Sequence, residues 1–434
     1  MPTGKLSYNN IVKYLMIWCI VQDFALSILY KLVKSPVLIN PVFYSKDILL
    51  IILFVWATTR TFGKGQIIVI SYLYYIIVFV AVQISLFNQV DTLAGIIQNI
   101  RNVVLFPCFF TIGYAINKRE DFLAFCTGKY IKWIVLSTMF GLTDYFLDKF
   151  VGTAQWWRTG IGFTRYYTEI KHQGNKMLFG LPGNFYGSYG KGFFAVKRLV
   201  GFWGNPLTCA YSLLFPALFI FFELMICKKH TKKCFNNLVI FCVLMGGIFF
   251  SHTRAILFLI VILIVGYIFL NMNKKPGLFI LTMFAFLVAL FLVDYSTIIK
   301  FIYDGSTAGH IEEVSNFLKD IRISLFGHGI SYAGTATATG VGTESAYLTL
   351  IGNTGVFGCL IYLQMLLTVL NRLLKNFHHF LPFGKAITFS MIALLITGML
   401  SEQLFAYTTV APFYIMLGFT FSNCVMLRSP IRCR

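Results

Sequence analysis

Arg198 opens the first of three short polar groups whose residue types could do chemistry. It begins the sequence R-L-V-G-F-W-G-N-P, which ends in Asn205 and Pro206. A guanidinium presents planar, paired donors that match two oxygens of a phosphate or diphosphate. Pro206 suits the first turn of a helix, where free amide groups also favour an anion. The motif predicts an anion site with Arg198 and Asn205 as contacts, although an arginine that reaches lipid headgroups would have the same sequence.

The second group is the sequence S-H-T-R from Ser251 to Arg254, which separates two apolar runs with almost no loop. So short a connection places Arg254 near the membrane surface or inside the helix bundle. A charge at that depth needs a partner, which makes Arg254 a candidate site residue. A simple turn with an interfacial arginine is the alternative.

The third group lies in the glycine-rich stretch 325–360. Glu344 precedes an apolar helix, and Tyr347 lies three residues later on nearly the same face. A carboxylate at this boundary could accept a proton from a hydroxyl group. It could equally be favoured by the helix dipole or pair with an arginine, for which Arg322 is the nearest candidate. His328 is a further candidate contact, although its position between two glycines is more typical of a loop histidine than of a base.

Arg101 interrupts another apolar run, and Asp23 lies at comparable depth in the first run. Charges inside membrane helices are usually paired, so we predict an ion pair between Arg101 and Asp23. Contact between Arg101 and a substrate is the alternative.

The composition determines which elements must position these residues. Of 434 residues, 58% are hydrophobic and only 12% are charged, which is typical of an all-α polytopic membrane protein. The net charge of +20 comes from short basic clusters between apolar runs rather than from one continuous basic face, so a nucleic-acid partner is excluded. The ten cysteines form no CxxC pair and mostly lie inside apolar runs, as buried thiols do.

About twelve apolar runs are long enough to cross a bilayer. The basic clusters follow the even-numbered runs, which predicts that both termini are cytoplasmic. The chain has no internal repeat and is predicted to form one membrane domain, 1–434. The predicted spans are 11–32, 46–61, 66–86, 93–116, 131–147, 204–227, 235–250, 255–270, 277–293, 345–369, 386–400 and 404–427.

Two loops are much longer than the others, 148–203 and 294–344, and both are predicted on the outer face. Loops of this length are usually functional or disordered. The first is rich in aromatic residues, which suit both the faces of sugar rings and the membrane interface, and the sequence leaves both open. These residues are Trp156, Trp157, Tyr166, Tyr167, Phe185, Tyr186 and Tyr189.

Together, the motifs resemble the O-antigen polymerase and O-antigen ligase family of bacterial membrane glycosyltransferases. The resemblance rests on R-x-x-G-F-x-x-N-P at 198–206, S-x-T-R at 251–254, the loop end 325–329, and the later helix start. That helix start comprises Glu344, Tyr347, Leu348, Gly355 and Gly358. The resemblance covers about residues 198–360. The order of the motifs along the chain is more specific than any single motif.

Membership would imply a GT-C-type enzyme that acts at the periplasmic face of the inner membrane on oligosaccharides linked to undecaprenyl diphosphate. The role implied for Arg198 and Arg254 is diphosphate binding. We predict Glu344 as the general base, with Arg322 and Tyr347 as supporting contacts. Membrane lipid and a polysaccharide chain-length regulator are further expected partners.

Two rival functions remain. A ligase of this family would have a histidine near position 344, often followed by asparagine, whereas this chain has Glu344 and Ser345, which favours a polymerase. A lipid-linked sugar flippase or transporter would also have about twelve helices. Transporters usually bind substrate near the midplane between broken helices, whereas the polar residues here concentrate in two outer loops. The sequence has no nucleotide-binding or metalloprotease motif and few paired acidic residues, so we expect no cofactor and a metal-independent site.

Overall fold

A computed structural model gives the fold of this protein. It describes residues 7–61, 93–117, 119–171, 177–178, 180–187, 196–227, 231–273, 315, 325–328, 345–399 and 401–423, and every structural statement below concerns this part of the chain. The described residues are mainly helical. The long helices are α1 (Tyr8–Val33), α2 (Pro36–Thr61), α3 (Leu93–Tyr114), α4 (Ile131–Val151), α5 (Pro206–Ile226), α6 (Lys232–Phe250), α7 (Arg254–Asn273), α8 (Ala346–Asn376), α9 (Pro382–Thr397) and α10 (Tyr407–Ser422).

These helices coincide with ten of the predicted spans. Five are long and apolar enough to cross a membrane: α1, α2, α5, α6, and α8 with the turn that follows it. Shorter apolar helical stretches lie in α3, α7 and α9. The predicted spans 66–86 and 277–293 lie outside the described residues, so the total of twelve spans and the GT-C architecture stay predictions.

Helix α5 lies in the interior of the bundle and packs against α6 and α9. Helices α3 and α10 are in close backbone contact at two glycines. A Cβ atom on Gly113 would lie 1.9 Å from the carbonyl oxygen of Ile415, and one on Gly418 would lie 2.0 Å from that of Phe110. Small residues commonly allow such backbone contact between membrane helices.

Short elements interrupt this helical architecture, and two of them are pairs of antiparallel strands. Strand β1 (Met177–Leu178) pairs with β2 (Leu181–Pro182), and β3 (Tyr186–Gly187) pairs with β4 (Val196–Lys197). The remaining short elements are helical turns at Arg119–Ala124, Phe125–Tyr130, Trp156–Gly160, Phe163–Arg165, Tyr166–Ile170, Gly183–Phe185, Gly201–Trp203, Phe377–His379 and Glu402–Phe405.

Two apolar cores stabilise the chain. The larger one fills the helix bundle. The second joins α1 and the start of α2 to the described residues of 153–187, which we call the aromatic segment. This segment lies at the end of the bundle where α1, α4, α6 and α9 end and where α5, α7, α8 and α10 begin. We call that end, which the sequence predicts to face outward, the site end.

Candidate functional site

Arg198 joins the two arginine motifs at the site end. Its Nε donates a hydrogen bond to the carbonyl oxygen of Ser251 at 2.8 Å, and its Nη2 donates to Oγ1 of Thr253 at 3.3 Å. The side chain is half-buried. The sequence indicated two separate motifs, and this contact makes them one structural unit.

Backbone hydrogen bonds hold Arg198 in position. Its amide donates to the carbonyl oxygen of Phe185 at 2.7 Å, and the amide of Leu199 donates to that of Phe250 at 2.9 Å. The chain just before Arg198 is strand β4, which pairs with β3. Arg198 is therefore bonded to the aromatic segment on one side, and its neighbour is bonded to the last residue of α6 on the other.

The turn from Ser251 to Thr253 is closed by local bonds. Ser251 Oγ donates to the carbonyl oxygen of Ile248 at 2.6 Å, and the Thr253 amide donates to Ser251 Oγ at 3.3 Å. His252 has a φ of 53°, which is uncommon for a residue other than glycine. This turn presents the Ser251 carbonyl and the Thr253 hydroxyl to Arg198. Arg254 begins α7, and its side chain lies outside the described residues.

A buried ionic network lies directly beside Arg198. Lys197 Nζ is 2.8 Å from Oδ2 of Asp144 and 3.6 Å from Oδ1 of Asp148, and it also donates to the Thr153 hydroxyl. Only 4% of the Lys197 and Asp144 side chains is exposed. Transfer of a charge out of water is unfavourable by several kcal/mol, so removal of one partner leaves a costly buried charge. The network fastens β4, and with it the backbone of Arg198, to α4.

The sequence analysis assigned no role to Lys197, which directly precedes Arg198 in the first motif, or to Asp144. A signal was nevertheless present, because Asp144 and Asp148 are four residues apart at the end of an apolar run. This spacing puts them on one face of a helix. Such a pair of acids beside an apolar run predicts a nearby basic partner, but the sequence does not say which one.

Asn205 caps the start of α5. Its Oδ1 accepts hydrogen bonds from the amides of Leu207 at 2.9 Å and Thr208 at 3.3 Å, and Pro206 occupies the first helical position. Two of the amides that we expected to attract an anion are therefore bonded within the chain. Asn205 has a structural role here, and its contact with a substrate stays a prediction.

The start of α8 is bonded to the end of α9. The Ala346 amide donates to the carbonyl oxygen of Gly398 at 3.0 Å. Tyr347 is the residue predicted to contact substrate, and its hydroxyl donates to the carbonyl oxygen of Leu395 at 2.6 Å. Glu344 and Arg322 lie outside the described residues, so their roles stay predictions.

Glu402 is a carboxylate at this junction that the sequence analysis did not select. It lies in the helical turn between α9 and α10, and its Oε1 accepts a hydrogen bond from the Thr349 hydroxyl at 2.6 Å. Glu402 is half-buried, whereas Thr349 is buried. The sequence signal was the polar triplet of residues 401–403 between two apolar runs.

Arg254 and the start of α8 lie at the same height in the bundle. Near the opposite end, Lys385 of α9 donates to the hydroxyl of Tyr267 of α7 at 3.2 Å. Arg254 lies thirteen residues before Tyr267, and Gly398 lies thirteen residues after Lys385. Because a helix rises 1.5 Å per residue, both positions lie about 20 Å from that contact. We call Arg198 and the turn from Ser251 to Thr253 the Arg198 unit. This unit, Arg254 and the first turn of α8 therefore lie at one end of the bundle.

The described part of the stretch around His328 contacts a break in α8. Gly355 has φ 76° and ψ 178°, which no helical residue adopts. The amide of His328 donates to the carbonyl oxygen of Gly352 at 2.9 Å, and the amide of Phe357 donates to that of Leu325 at 3.2 Å. His328 is thus held against α8 by its backbone, and its contact with a substrate stays a prediction.

Asp23 is bonded to the aromatic segment. The Lys171 ammonium lies 2.6 Å from Asp23 Oδ2, and the Tyr166 hydroxyl donates to Oδ1 at 2.9 Å. Burial and the Asp23 carboxylate raise the pKa of Tyr167 to about 12, and the same causes raise the pKa of Tyr166. The side chain of Arg101, in α3, lies outside the described residues. The predicted Asp23–Arg101 pair therefore stays a prediction, whereas the partners from the aromatic segment were not foreseen.

Three of the seven aromatic residues offered as sugar platforms or interface anchors, Trp157, Tyr166 and Phe185, lie in a buried core together with Phe163. Trp157, Phe163, Tyr166 and Phe185 are completely buried and pack on one another. Trp156, which is 43% exposed, is available to a ligand or to lipid. Tyr189 lies outside the described residues. For the buried rings, packing is a third role that the sequence analysis did not weigh.

Within the described ranges, no group of three or more His, Cys, Asp and Glu side chains is placed to hold a metal ion. In sequence comparisons, no protein-family model and no curated protein matches this chain. The apolar helices show a helical protein with segments able to cross a membrane.

Proposed function

We propose that this protein is a metal-independent membrane glycosyltransferase of the O-antigen polymerase type. It joins oligosaccharide repeat units linked to undecaprenyl diphosphate at the periplasmic face of the bacterial inner membrane. Both termini are cytoplasmic in this proposal, and the site end faces the periplasm.

One observation carries the proposal: the hydrogen bonds from Arg198 to Ser251 and Thr253. They join two motifs of the proposed family through the side chain assigned to diphosphate binding. Ser251 and Thr253 accept from the Nε and Nη2 of Arg198, and these two bonds orient the guanidinium at the site end. A charged, oriented donor fork at a membrane boundary suits the oxygens of a lipid diphosphate.

The proposed reaction is an inverting displacement at the anomeric carbon of the growing chain. A hydroxyl oxygen of the incoming repeat unit forms the new bond to that carbon. The bond from the carbon to the diphosphate oxygen breaks, and its electron pair leaves with undecaprenyl diphosphate. Arg198 and Arg254 stabilise the charge that develops on the leaving oxygens, and Glu344 accepts the hydroxyl proton.

Polymer ladders formed by cells that carry variants of this chain test the proposal. Arg198→Ala and Glu344→Gln variants that insert normally should yield single repeat units in place of long polymer. Full-length ladders from Arg198→Ala would remove the diphosphate role, and full-length ladders from Glu344→Gln would remove the proposed base. Accumulation of finished, undecaprenyl-linked polymer would instead indicate a ligase.

A flippase is the second candidate, because α8 is broken at Gly355 and transporters commonly use broken helices. In this chain, the residues around the break bond to the backbone of Leu325 and His328, so part of the break is occupied by protein. Liposomes that contain the purified protein separate the two functions. Translocation of lipid-linked sugar without formation of a glycosidic bond would support the flippase.

A further inference from the structure

Glu402 lies at the same height as the Arg198 unit but on the other side of α5. On one side, a Cβ atom on Gly247 of α6 would lie 2.8 Å from the side chain of Leu213 of α5. On the other side, Tyr211 of α5 and Leu394 of α9 line one small cavity. The two observations fix the heights of α6 and α9 relative to α5.

Ser251 lies four residues beyond Gly247. Gly398 lies four residues beyond Leu394 and bonds to Ala346, and Glu402 bonds to Thr349, which lies three residues further along α8, back toward the height of Leu394. At 1.5 Å per residue, the two groups differ in height by no more than about one helical turn. The axes of packed helices lie about 8–10 Å apart. The Arg198 unit and Glu402 lie on opposite sides of α5, so they are separated by up to about 16–20 Å. A ligand that touches both must extend well beyond a diphosphate group.

Glu402 has the chemistry and the support of a hydroxyl-binding residue. A carboxylate is a strong acceptor with two oxygens, and adjacent hydroxyl groups of a sugar can donate to it. The Thr349 hydroxyl bonds to Oε1, and the start of α8 is itself bonded to α9 through Ala346 and Gly398. The orientation of Glu402 is therefore set by two helices rather than by a free loop.

We propose that Glu402, oriented by Thr349, binds sugar hydroxyl groups of the lipid-linked oligosaccharide at a subsite separate from the diphosphate. This inference rests on the proposed function and adds a specificity-determining residue to it. Arg198 binds the charged end of the substrate, and Glu402 binds the carbohydrate end. A site built to accept hydroxyl groups rejects a ligand that lacks them more strongly than an apolar pocket does.

Two probes separate the subsites, each measured on the purified full chain in lipid nanodiscs. One is the repeat-unit oligosaccharide released from its lipid and phosphate, and the other is inorganic pyrophosphate. Glu402→Gln should weaken oligosaccharide binding by about tenfold or more and leave pyrophosphate binding unchanged, because one charge-assisted bond is lost. Thr349→Val should weaken oligosaccharide binding less. Arg198→Ala should show the reverse pattern.

Glu223→Gln is the matched control, since Glu223 pairs with Lys233 at the opposite end of the bundle, at 2.8 Å. It should bind both probes as the unaltered protein does. If Glu402→Gln loses both probes through misfolding, Glu402→Asp keeps the charge but withdraws the carboxylate by one methylene group, and it should still lose oligosaccharide affinity alone. Unchanged oligosaccharide affinity in Glu402→Gln overturns the subsite and leaves the proposed function standing. Failure of the unaltered protein to bind either probe overturns both.

Discussion

The guanidinium of Arg198 and the hydroxyl of Thr253 are hydrogen-bonded at 3.3 Å although they lie 55 residues apart in the chain. A second hydrogen bond, from Nε of the same guanidinium to the carbonyl oxygen of Ser251, has a length of 2.8 Å. The two acceptors lie two residues apart in one turn. The turn and the guanidinium therefore support each other, and the position of the charge depends on the planar geometry of arginine.

Arg198→Lys should therefore behave as a loss of function rather than as a conservative change. An ammonium group carries the charge but lacks the planar fork that reaches both acceptors. We expect pyrophosphate affinity to fall by about tenfold, the effect of one charge-assisted bond, and polymer ladders to shorten. Arg165→Lys, at an exposed position of the aromatic segment, is the control and should change neither. Normal ladders from Arg198→Lys would show that charge alone is sufficient.

Lys197→Ala should destabilise the protein by about 3–5 kcal/mol, because it leaves Asp144 buried without its ammonium partner. Unfolding of the purified protein by heat or denaturant in detergent measures this change. Lys233→Ala removes a lysine that is 68% exposed and should change stability by less than about 1 kcal/mol.

The double variant Lys197→Ala with Asp144→Asn tests the same network. It should recover part of the loss, because no charge then remains buried without a partner. Equal effects of Lys197→Ala and Lys233→Ala would show that the buried network contributes nothing to stability.

The sequence predicted the helices well because a membrane span is a local property. Apolar length alone locates α1, α5 and α6, and the start of α5 follows from Asn205 and Pro206. The ends were less certain, since α2 begins ten residues before its predicted start at Lys46. Those extra residues include Pro41 and several exposed apolar side chains, and they continue the helix beyond the predicted span.

The sequence predicted which types of residue form the candidate site, but it did not predict which of them contact each other. The arginine motifs were recognisable, whereas the hydrogen bonds from Arg198 to Ser251 and Thr253 depend on how β4 meets the end of α6. Glu402 was missed because its contact is with Thr349, which lies 53 residues away in the chain. The partners of Asp23 were missed for the same reason, since Lys171 comes from a loop of no regular pattern.

Gly355→Ala should destabilise the region where the chain from Leu325 crosses α8. At a φ of 76° a side chain is strained, and a Cβ atom there would lie 2.3 Å from the carbonyl oxygen of Leu325. That neighbour is backbone and cannot move aside without breaking the hydrogen bond to Phe357. We expect a loss of at least about 1–3 kcal/mol, measured by thermal unfolding.

Gly246→Ala is the control for this substitution. Gly246 lies in helix α6, and a Cβ atom there would make only an ordinary contact with Leu142 at 3.9 Å. The free energy of unfolding of the Gly246→Ala variant should stay the same or rise slightly, because alanine favours a helix. If both alanine variants were equally stable, the close crossing at Gly355 would be wrong.

Asp23→Asn should loosen the aromatic segment from α1. The side chain that replaces Asp23 can still accept from Tyr166, but Lys171 loses a carboxylate that is only 9% exposed. Because the pair is partly buried, its loss should cost more than that of a surface ion pair, which contributes at most about 1 kcal/mol. Limited proteolysis measures the effect directly, and cleavage within residues 153–171 should become faster. Asp121→Asn removes the partner of Lys13, and Asp121 is 56% exposed, so the cleavage rate should not change. Equal protection of the segment in both variants would mean that apolar packing around Trp157 and Phe163 holds it in place without the Asp23 contacts.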